Sequence, residues 1–241
     1  IGGGGSNAVR HMDNLKIKGA DLIICNTDSQ ALASNSVKTK IKLGIQGLGA
    51  GTDPEVGRQA AIESQDELRK ILTDETEMVF ITAGMGGGTG TGAAPVVAEL
   101  AREKGLLTVG VVTAPYKWEG KEKINYALNG IEELKTYCDT VLVVMNDKLA
   151  EIHRNLPLRD AFSKADDVLA KAVKSVVDVI AKPGDVNTDF MDVKKVLKNA
   201  GQAMMSSALG QGEDRALLAI TEALESPLLN SQEIKGAKRI L

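Results

Sequence analysis

The sequence predicts an α/β fold in which a parallel, Rossmann-like sheet is flanked by helices. Two observations support this prediction. Apolar runs rich in β-branched residues alternate along the chain with longer amphipathic stretches, which is the order expected when helices connect parallel strands. Each apolar run is hydrophobic on successive residues, as strands with two buried faces are. The predicted strands are 21–26, 78–83, 106–113 and 140–145.

Helical periodicity fills the intervals between these strands. The predicted helices are 6–16, 54–72, 93–103, 124–136 and 158–181. The last of them is the longest, and Pro183 and Gly184 end it because proline disfavours a helical conformation at the preceding residue. Farther along the chain we expect a helix near 190–199, a strand near 203–209 and a helix near 213–225.

After the longest helix the regular alternation of strands and helices stops, and this change in pattern predicts two domains. We assign 1–157 to a first domain, 158–182 to a central connecting helix, and 183–241 to a polar loop and the start of a second, incomplete α+β domain. We also expect flanking sequence at both ends, because Ile1 stands directly before a glycine run where a strand should come first.

Composition excludes several classes of function. The formal net charge of −3 argues against a general nucleic-acid binder, which usually shows a basic surface. Cys25 and Cys138 form no CxxC pattern, and His11 and His153 lie in no zinc-binding motif, so no transition-metal site is expected. No apolar stretch approaches the roughly 18–20 residues of a membrane helix, and no signal segment is visible, so cytoplasmic residence is expected.

The strongest local motif is the glycine-rich loop at 84–92, which directly follows a predicted strand and directly precedes a helix. Glycine lets successive backbone N–H groups point inward, and the helix presents the positive end of its dipole. Such a loop binds phosphate oxygens without requiring a lysine. Thr89 and Thr91 add hydroxyl donors.

Two further glycine loops precede helices, at 2–5 and at 47–52. One such loop is more often structural, but three in an alternating α/β pattern favour a polyphosphate ligand. The Walker motif of P-loop NTPases is absent. A dinucleotide site remains the rival interpretation, with Asp28 as its acidic residue, although Ser6 and Asn7 stand where the GxGxxG spacing requires the last glycine.

The glycine loop at 86–92 resembles the signature of the tubulin/FtsZ superfamily, and the remaining motifs resemble FtsZ in the same order, nearly end to end. These motifs are GGGTGTG at 86–92, GGGGSNAV at 2–9, NTD at 26–28, GLGAGTDPEVGR at 47–58, APVVAELA at 94–101, ND at 146–147, DAF at 160–162, NTDFMDV at 187–193, GEDRA at 212–216 and SPLL at 226–229.

The resemblance implies a GTPase that polymerises with itself, head to tail, and forms the cytokinetic ring at mid-cell. It implies GTP or GDP as ligand, with Mg²⁺ held mainly by the nucleotide phosphates rather than by protein side chains, and it admits a monovalent cation such as K⁺. Membrane adaptors and division regulators are expected to bind a C-terminal tail outside this sequence. No nucleic-acid partner is expected.

The resemblance also implies nucleotide-binding residues. The residues expected to hold the phosphates are Gly3, Gly4, Gly5, Gly86, Gly87, Gly88, Thr89, Gly90 and Thr91. Ala50, Gly51 and Thr52 are expected to lie over the γ-phosphate, in a loop a few residues shorter upstream of Gly47 than in the family.

Base and ribose contacts are implied in the same way. Asn7 and Asn26 are expected to line the nucleotide, Asn146 and Asp166 to read the guanine edge, and Phe162 to stack on the base. Glu119 is expected to contact the ribose, and Pro115 and Lys123 are also expected to bind the nucleotide. Lys123 stands where the family has an arginine and lacks its planar fork. From the residues alone, Asp166 is a solvated helix position and Phe162 a core residue.

The last candidate site is Asn187, Asp189 and Asp192. By pattern, Asp189 is a helix N-cap and Asp192 its capping-box partner. The resemblance implies that this loop enters the nucleotide site of the next subunit and positions the attacking water. Two alternatives stay open: a nucleotide-gated structural protein whose hydrolysis is incidental or absent, and a nicotinamide-dependent oxidoreductase.

Overall fold

A computed structural model describes residues 1–152, 157–182, 188–229 and 236–241, and it shows the predicted parallel α/β architecture. Four strands form one sheet in the order β3-β4-β5-β6, and two more form the pair β1-β2, all of them parallel. The strands are β1 Ile23–Asn26, β2 Thr39–Lys42, β3 Met78–Gly84, β4 Leu107–Ala114, β5 Thr140–Met145 and β6 Gly201–Ala203.

Helices cover both faces of the larger sheet. Helices α5 and α6 pack on one face, and α1 and α8 on the other. The helices are α1 Gly2–Asn14, α2 Ser29–Ala33, α3 Pro54–Glu63, α4 Gln65–Ile71, α5 Gly88–Glu103, α6 Lys121–Tyr137, α7 Asn146–Ile152, α8 Leu158–Ala181, α9 Phe190–Leu197 and α10 Arg215–Leu224, with a 3-10 turn at Lys117–Glu119.

Strand β4 explains why the sequence pattern predicted a doubly covered sheet. Leu107, Val109 and Val111 enter the core that α1 and α8 share, whereas Val112 and Ala114 enter the core under α5 and α6. All five side chains are buried. Each large one contributes roughly 1.5–3 kcal/mol on leaving water, so the central strand stabilises both layers at once.

Several local predictions were wrong. The predicted helix 54–72 is two helices, because Ser64 leaves the helical conformation and its hydroxyl accepts a hydrogen bond from the Gly44 amide at 2.9 Å. Of the predicted strand 203–209, only Ala203 is in a strand. Residues 204–209 are not in a strand, and the Ser206 hydroxyl donates a hydrogen bond to the Ala223 carbonyl. The short elements α2, β2 and α7 were not predicted.

Helix α8 has the predicted bounds and is the longest helix of the described residues. A 24-residue helix is about 36 Å long. After α8, strand β6 pairs with β5, so residues 201–203 extend the main sheet. The division into domains stays a prediction. Among the described helices, none is long and apolar enough to cross a membrane.

Candidate nucleotide site

The glycine loop between β3 and α5 presents unused backbone donors. Helix α5 begins at Gly88, and no described side chain caps its N-terminus. The first turn contains no acidic residue. Gly86 has φ +99° and its amide donates to the Thr91 hydroxyl at 2.8 Å, which folds the loop back on the helix. The free amides and the helix dipole make this end of α5 attractive to an anion.

A second helix N-terminus meets the first. The glycine run 2–5 is the opening turn of α1, which begins at Gly2 rather than at the predicted Ser6. A Cβ atom on Gly4 would stand 3.2 Å from the Gly84 Cα, and one on Gly2 would stand 2.9 Å from the Gly90 amide nitrogen. Only glycine allows α1 to approach β3 and α5 this closely. We call the residues Gly2–Gly5 and Gly86–Thr91 together the glycine nest.

The third glycine loop lies against the nest. The Ala50 methyl group and the Asp53 backbone would both clash with a Cβ atom on Gly88. Gly47, Gly49 and Gly51 have positive φ angles, and Thr52 shares this conformation at φ +66°. The loop containing Ala50, Gly51 and Thr52 therefore stands beside the first turn of α5, where the sequence prediction put a γ-phosphate contact.

A hydroxyl contact that the sequence reasoning missed joins these segments. Thr27, which follows β1, hydrogen-bonds through its Oγ1 to the Oγ1 of Thr89 at 2.6 Å. The Thr27 carbonyl accepts from the Gly49 amide at 3.1 Å. Thr27 thus links β1, the third glycine loop and α5. The signals in the sequence were its place directly after Asn26, at the carboxyl end of a predicted strand, and its position within the NTD motif at 26–28.

The base-binding candidates gather around an aromatic cluster formed by Tyr116, Trp118 and Phe162. Tyr116 and Trp118 stack with ring centroids 5.2 Å apart, and Phe162 meets Tyr116 edge-on at 5.5 Å. Tyr116 is buried, whereas Phe162 is 39% exposed. Asp166 lies one helical turn after Phe162 on α8. The YKW spacing after a buried strand was the available signal for the two missed rings.

Two polar side chains near this cluster have properties suited to a ligand. Burial raises the pKa of Asp166 to about 6, although His11 and Arg10 on α1 oppose the shift. Asn146, the first residue of α7, is 4% exposed, and its Oδ1 has no hydrogen-bond partner among the described residues. A buried acceptor without a donor is costly. A guanine base, which has N–H donors, fits this requirement.

The remaining nucleotide candidates have defined local contacts. Asn7 is exposed on α1, and Asn26 is buried at the end of β1, where its Oδ1 accepts from the Asp28 amide. Glu119 accepts from the Tyr116 amide at 3.0 Å and forms an ion pair with Lys123 at 3.2 Å. Their structural environments are defined, but their predicted nucleotide contacts stay predictions. Pro115 is buried, with its ring beside Gly86.

Asp189 and Asp192, here called the aspartate pair, lie after the far end of α8. The Asp192 amide donates to Asp189 at 3.0 Å and the Asp189 amide donates to Asp192 at 3.3 Å, which confirms the predicted capping box. Both residues are exposed. Asn187 lies outside the described residues. Phe162 and Asp166 lie in the first turns of α8, a helix about 36 Å long, whereas the aspartate pair follows its C-terminal end in the sequence.

Metal-binding geometry is not apparent in the described residues. No group of three or more His, Cys, Asp or Glu side chains among residues 1–152, 157–182, 188–229 and 236–241 is placed to hold a metal ion. The donors that converge on the glycine nest are backbone amides and hydroxyl groups. This set suits the oxygen atoms of a polyphosphate, and a hard cation would find its ligands on the phosphates.

Sequence comparison relates the chain to one family. The model described as Tubulin/FtsZ family, GTPase domain, matches residues 1–154. The chain is 50% identical over 245 aligned residues to the cell division protein FtsZ of Porphyromonas gingivalis, covering all of this chain and 54% of that relative. It is 46% identical to the FtsZ of Aquifex aeolicus, covering 66% of it. The chain thus spans about half to two thirds of the length of these relatives.

Solved structures show the same relationship. An empty FtsZ dimer from M. jannaschii matches with a TM-score of 0.90 and 46% identity, over 95% of this chain and 67% of that one. CetZ2 from Haloferax volcanii, solved as a GTPgS-bound protofilament, matches with a TM-score of 0.80 over 94% of this chain and 72% of that one. Its 23% identity makes it evidence for the fold alone.

Proposed function

Because this chain belongs to the Tubulin/FtsZ family of GTPase domains, we propose that it binds GTP, assembles head to tail and hydrolyses GTP between subunits. The main support for this proposal is the placement of the glycine nest and the aspartate pair along α8. Helix α1 lies alongside α8, with His11 in contact with Asp167 near the first turns of α8 and Gly19 against Ala181 at its last residue. The opening turn of α1 therefore lies toward the N-terminal end of α8, a helix about 36 Å long, whereas the aspartate pair follows its C-terminal end. A chain that needs both groups for catalysis must obtain one of them from a neighbour.

The nest supplies the phosphate-binding half of the site. The first amides of α5 receive no side-chain cap from a described residue, and the opening turn of α1 contributes a second positive helix end. Phosphate oxygens accept these hydrogen bonds in place of water. Ala50, Gly51 and Thr52 close the site beside the γ-phosphate, which gives the loop a contact that GDP cannot offer.

The aromatic cluster and α8 supply the base-binding half. Phe162 stacks on the guanine ring, while the Asp166 carboxylate accepts hydrogen bonds from guanine N1 and N2. Adenine cannot provide that pair of donors, so GTP is selected over ATP. Asn146 accepts a further hydrogen bond through its Oδ1. Glu119 contacts the ribose, with Lys123 held beside it by their ion pair.

The aspartate pair of the next subunit completes the site. Its carboxylates orient and polarise the water that attacks the γ-phosphorus atom in line with the leaving oxygen. Mg²⁺, when bound to the phosphates, offsets their negative charge, and K⁺ is a second candidate cation. Asn187 is assigned to the same loop. A heterologous contact of this kind repeats into a filament rather than closing into a dimer.

The biological role follows as part of the same proposal. The filament acts in the cytoplasm as the scaffold of the division ring at mid-cell. The relatives from Porphyromonas gingivalis and Aquifex aeolicus are named cell division proteins. Division regulators and membrane adaptors are reached through a C-terminal tail. The sequence boundary at 157 separates the nucleotide domain from the connecting helix 158–182 and the segment 183–241.

The test measures phosphate release per chain across a wide range of protein concentration, using the whole gene product that contains this chain. With GTP, the rate per chain should rise from near zero past a threshold, and ATP should give no turnover. A concentration-independent GTP rate would place catalysis within one chain. GTP binding and assembly without any turnover would favour the nucleotide-gated structural protein, and NAD binding would favour the oxidoreductase.

A further inference from the structure

A buried carboxylate ties the helix of the aspartate pair to the nucleotide-binding sheet. Asp139, directly before β5, is 8% exposed and is the most buried acid among the ion pairs of the described residues. Its Oδ1 lies 3.0 Å from the Lys198 Nζ, and its Oδ2 accepts from the Thr108 amide at 3.0 Å. The Asn199 amide donates to Oδ1 at 3.3 Å.

These contacts join three segments at one residue. The Asp139 backbone adds two hydrogen bonds, donating to the Thr108 carbonyl at 2.8 Å and accepting from the Gly201 amide at 2.9 Å. Thr108 belongs to β4, and Gly201 begins β6. Because several donors surround it, the buried charge is compensated. We call Asp139, Lys198 and Asn199 the polar junction.

The junction holds the end of α9 and the turn that leaves it. Lys198 is the C-cap of the helix, and Asn199 follows in the left-handed conformation at φ +51°. The Thr140 hydroxyl donates to the Leu197 carbonyl at 2.5 Å. Val193 is fully buried and Leu197 nearly so. The C-terminal end of α9 is therefore fixed to the main sheet by both charge and packing.

The opposite end of α9 presents the aspartate pair at the surface, while Phe190 between the two acids packs partly buried against the core. Asp189 and Asp192 are exposed there, and Met191 between them is 64% exposed. An eight-residue helix is about 12 Å long, so a tilt of a few degrees at the junction moves the carboxylates by about 1 Å. A displacement of about 1 Å in a catalytic constellation costs about 100-fold in rate.

We propose that Asp139 is a positioning residue for GTP hydrolysis, which holds α9 so that the aspartate pair reaches the neighbouring nucleotide in the correct orientation. This inference rests on the function proposed above. Asp139 itself touches no substrate. Its effect appears in the pocket of the next subunit, whereas the nucleotide pocket of its own chain is served by other residues. That asymmetry separates a positioning role from a merely structural one.

The first measurement uses Asp139→Asn in the whole gene product. The amide keeps the shape but turns an N–H₂ donor toward the donors of Thr108, Lys198 or Asn199. Guanine nucleotide affinity should stay within twofold of wild type, while GTP turnover above the assembly threshold should fall at least tenfold. Asp74→Asn is the matched control, since Asp74 is exposed and takes part in none of the described ion pairs.

The decisive measurement mixes two defective proteins. Asp166→Asn subunits bind guanine poorly but retain an intact polar junction and aspartate pair. In a copolymer they complete the intact pockets of Asp139→Asn subunits, so the mixture should hydrolyse GTP faster than the sum of the two proteins assayed alone. A rate equal to that sum would place the effect of Asp139 within its own subunit and overturn the proposal.

A second variant covers the case in which Asp139→Asn does not fold. Lys198→Met removes the cation, whose side chain is 41% exposed, and should lower turnover about threefold with unchanged nucleotide affinity and a lowered but still cooperative thermal transition. The same mixing assay applies to it. Wild-type turnover in both variants overturns the inference and leaves the proposed function intact. If the GTP turnover of the wild-type protein shows no concentration threshold, the proposed function itself is overturned, whatever the variants do.

Discussion

The N-termini of α5 and α9 show two opposite uses of the same backbone feature. Helix α5 begins without a side-chain cap from the described residues and without an acid in its first turn, so its amides and dipole remain available to a ligand. Helix α9 begins with Asp189 and Asp192, which satisfy its amides reciprocally and leave negative charge at the surface.

This difference explains why the N-terminus of α5 and the N-terminus of α9 cannot take over each other's function. An uncapped N-terminus attracts phosphate, whereas a capped one with two carboxylates repels it and suits a water molecule. In the proposed reaction the two helix ends require opposite charge. Their separation along α8 turns this electrostatic difference into a requirement for a second subunit, as proposed above.

The largest expected effect comes from removing the charge at α9. In Asp189→Asn/Asp192→Asn the helix keeps neutral capping side chains, because asparagine is also a good N-cap. GTP turnover in the whole gene product should fall by about 100- to 1,000-fold, the range of general-base contributions. Nucleotide affinity, measured by equilibrium binding, should stay within twofold. A loss of affinity with unchanged turnover would reverse the roles assigned to the two helix ends.

The next effect comes from giving α5 the kind of cap that α9 has. Gly87 has extended dihedrals, and a Cβ atom there would meet nothing within 4 Å. Gly87→Asp should therefore fold and place a carboxylate where phosphate binds, which should weaken GTP binding about 100-fold, or ~2.7 kcal/mol.

Gly87→Asn is the matched control, since it offers the same N-cap geometry without the charge. It should lose about tenfold less affinity than the aspartate variant, and thermal melting should show that both proteins fold. Equal losses in the two variants would mean that shape rather than charge governs the nest.

A smaller effect is expected from pH at the base-binding end. Since burial raises the pKa of Asp166 to about 6, the carboxyl gains a proton as pH falls below that value and loses one guanine acceptor. GTP affinity should fall up to about tenfold between pH 7 and pH 5. Asp166→Asn should remove this dependence, whereas Asp167→Asn, one residue farther along α8, should keep it.

The same shift has a stability consequence with the opposite sign. Because the folded-state pKa of Asp166 lies above 3.8, the usual value for an aspartate in water, the folded chain binds this proton more tightly than the unfolded chain. The contribution of Asp166 to the free energy of unfolding should therefore decrease as pH rises from 3.8 to about 6 and stay level above that. Denaturant unfolding of wild type and Asp166→Asn across this range measures it.

The smallest effect concerns the loop beside α5. Thr52 is β-branched and has φ +66°, a conformation that asparagine adopts more readily. Thr52→Asn should raise the free energy of unfolding by about 0.5–1 kcal/mol, measured with urea. The exposed Thr73→Asn, outside the left-handed region, should be neutral. A destabilised Thr52→Asn would show that the Thr52 hydroxyl bond to the Gly51 carbonyl outweighs the strain.

Local pattern predicted part of the fold and part of the site. The bounds of α8 and β5 were predicted correctly, because long periodic runs with clear end signals depend little on distant contacts. The capping box of Asp189 and Asp192 was predicted for the same reason. By contrast, α1 was predicted to start at Ser6, because glycine is a poor helix former and only the contact with β3 explains a helix there.

The sequence by itself determined the alternation of buried strands and amphipathic helices, the three glycine loops and the carboxylate cap of α9. These are local features, decided by neighbours a few positions away. Tertiary structure alone decided that Gly2 meets Gly90, that Thr27 bonds to Thr89, and that Asp139 holds the end of α9. Each of these contacts joins residues about sixty or more positions apart, and their energy comes from burial and hydrogen bonding that exist only when the chain has folded.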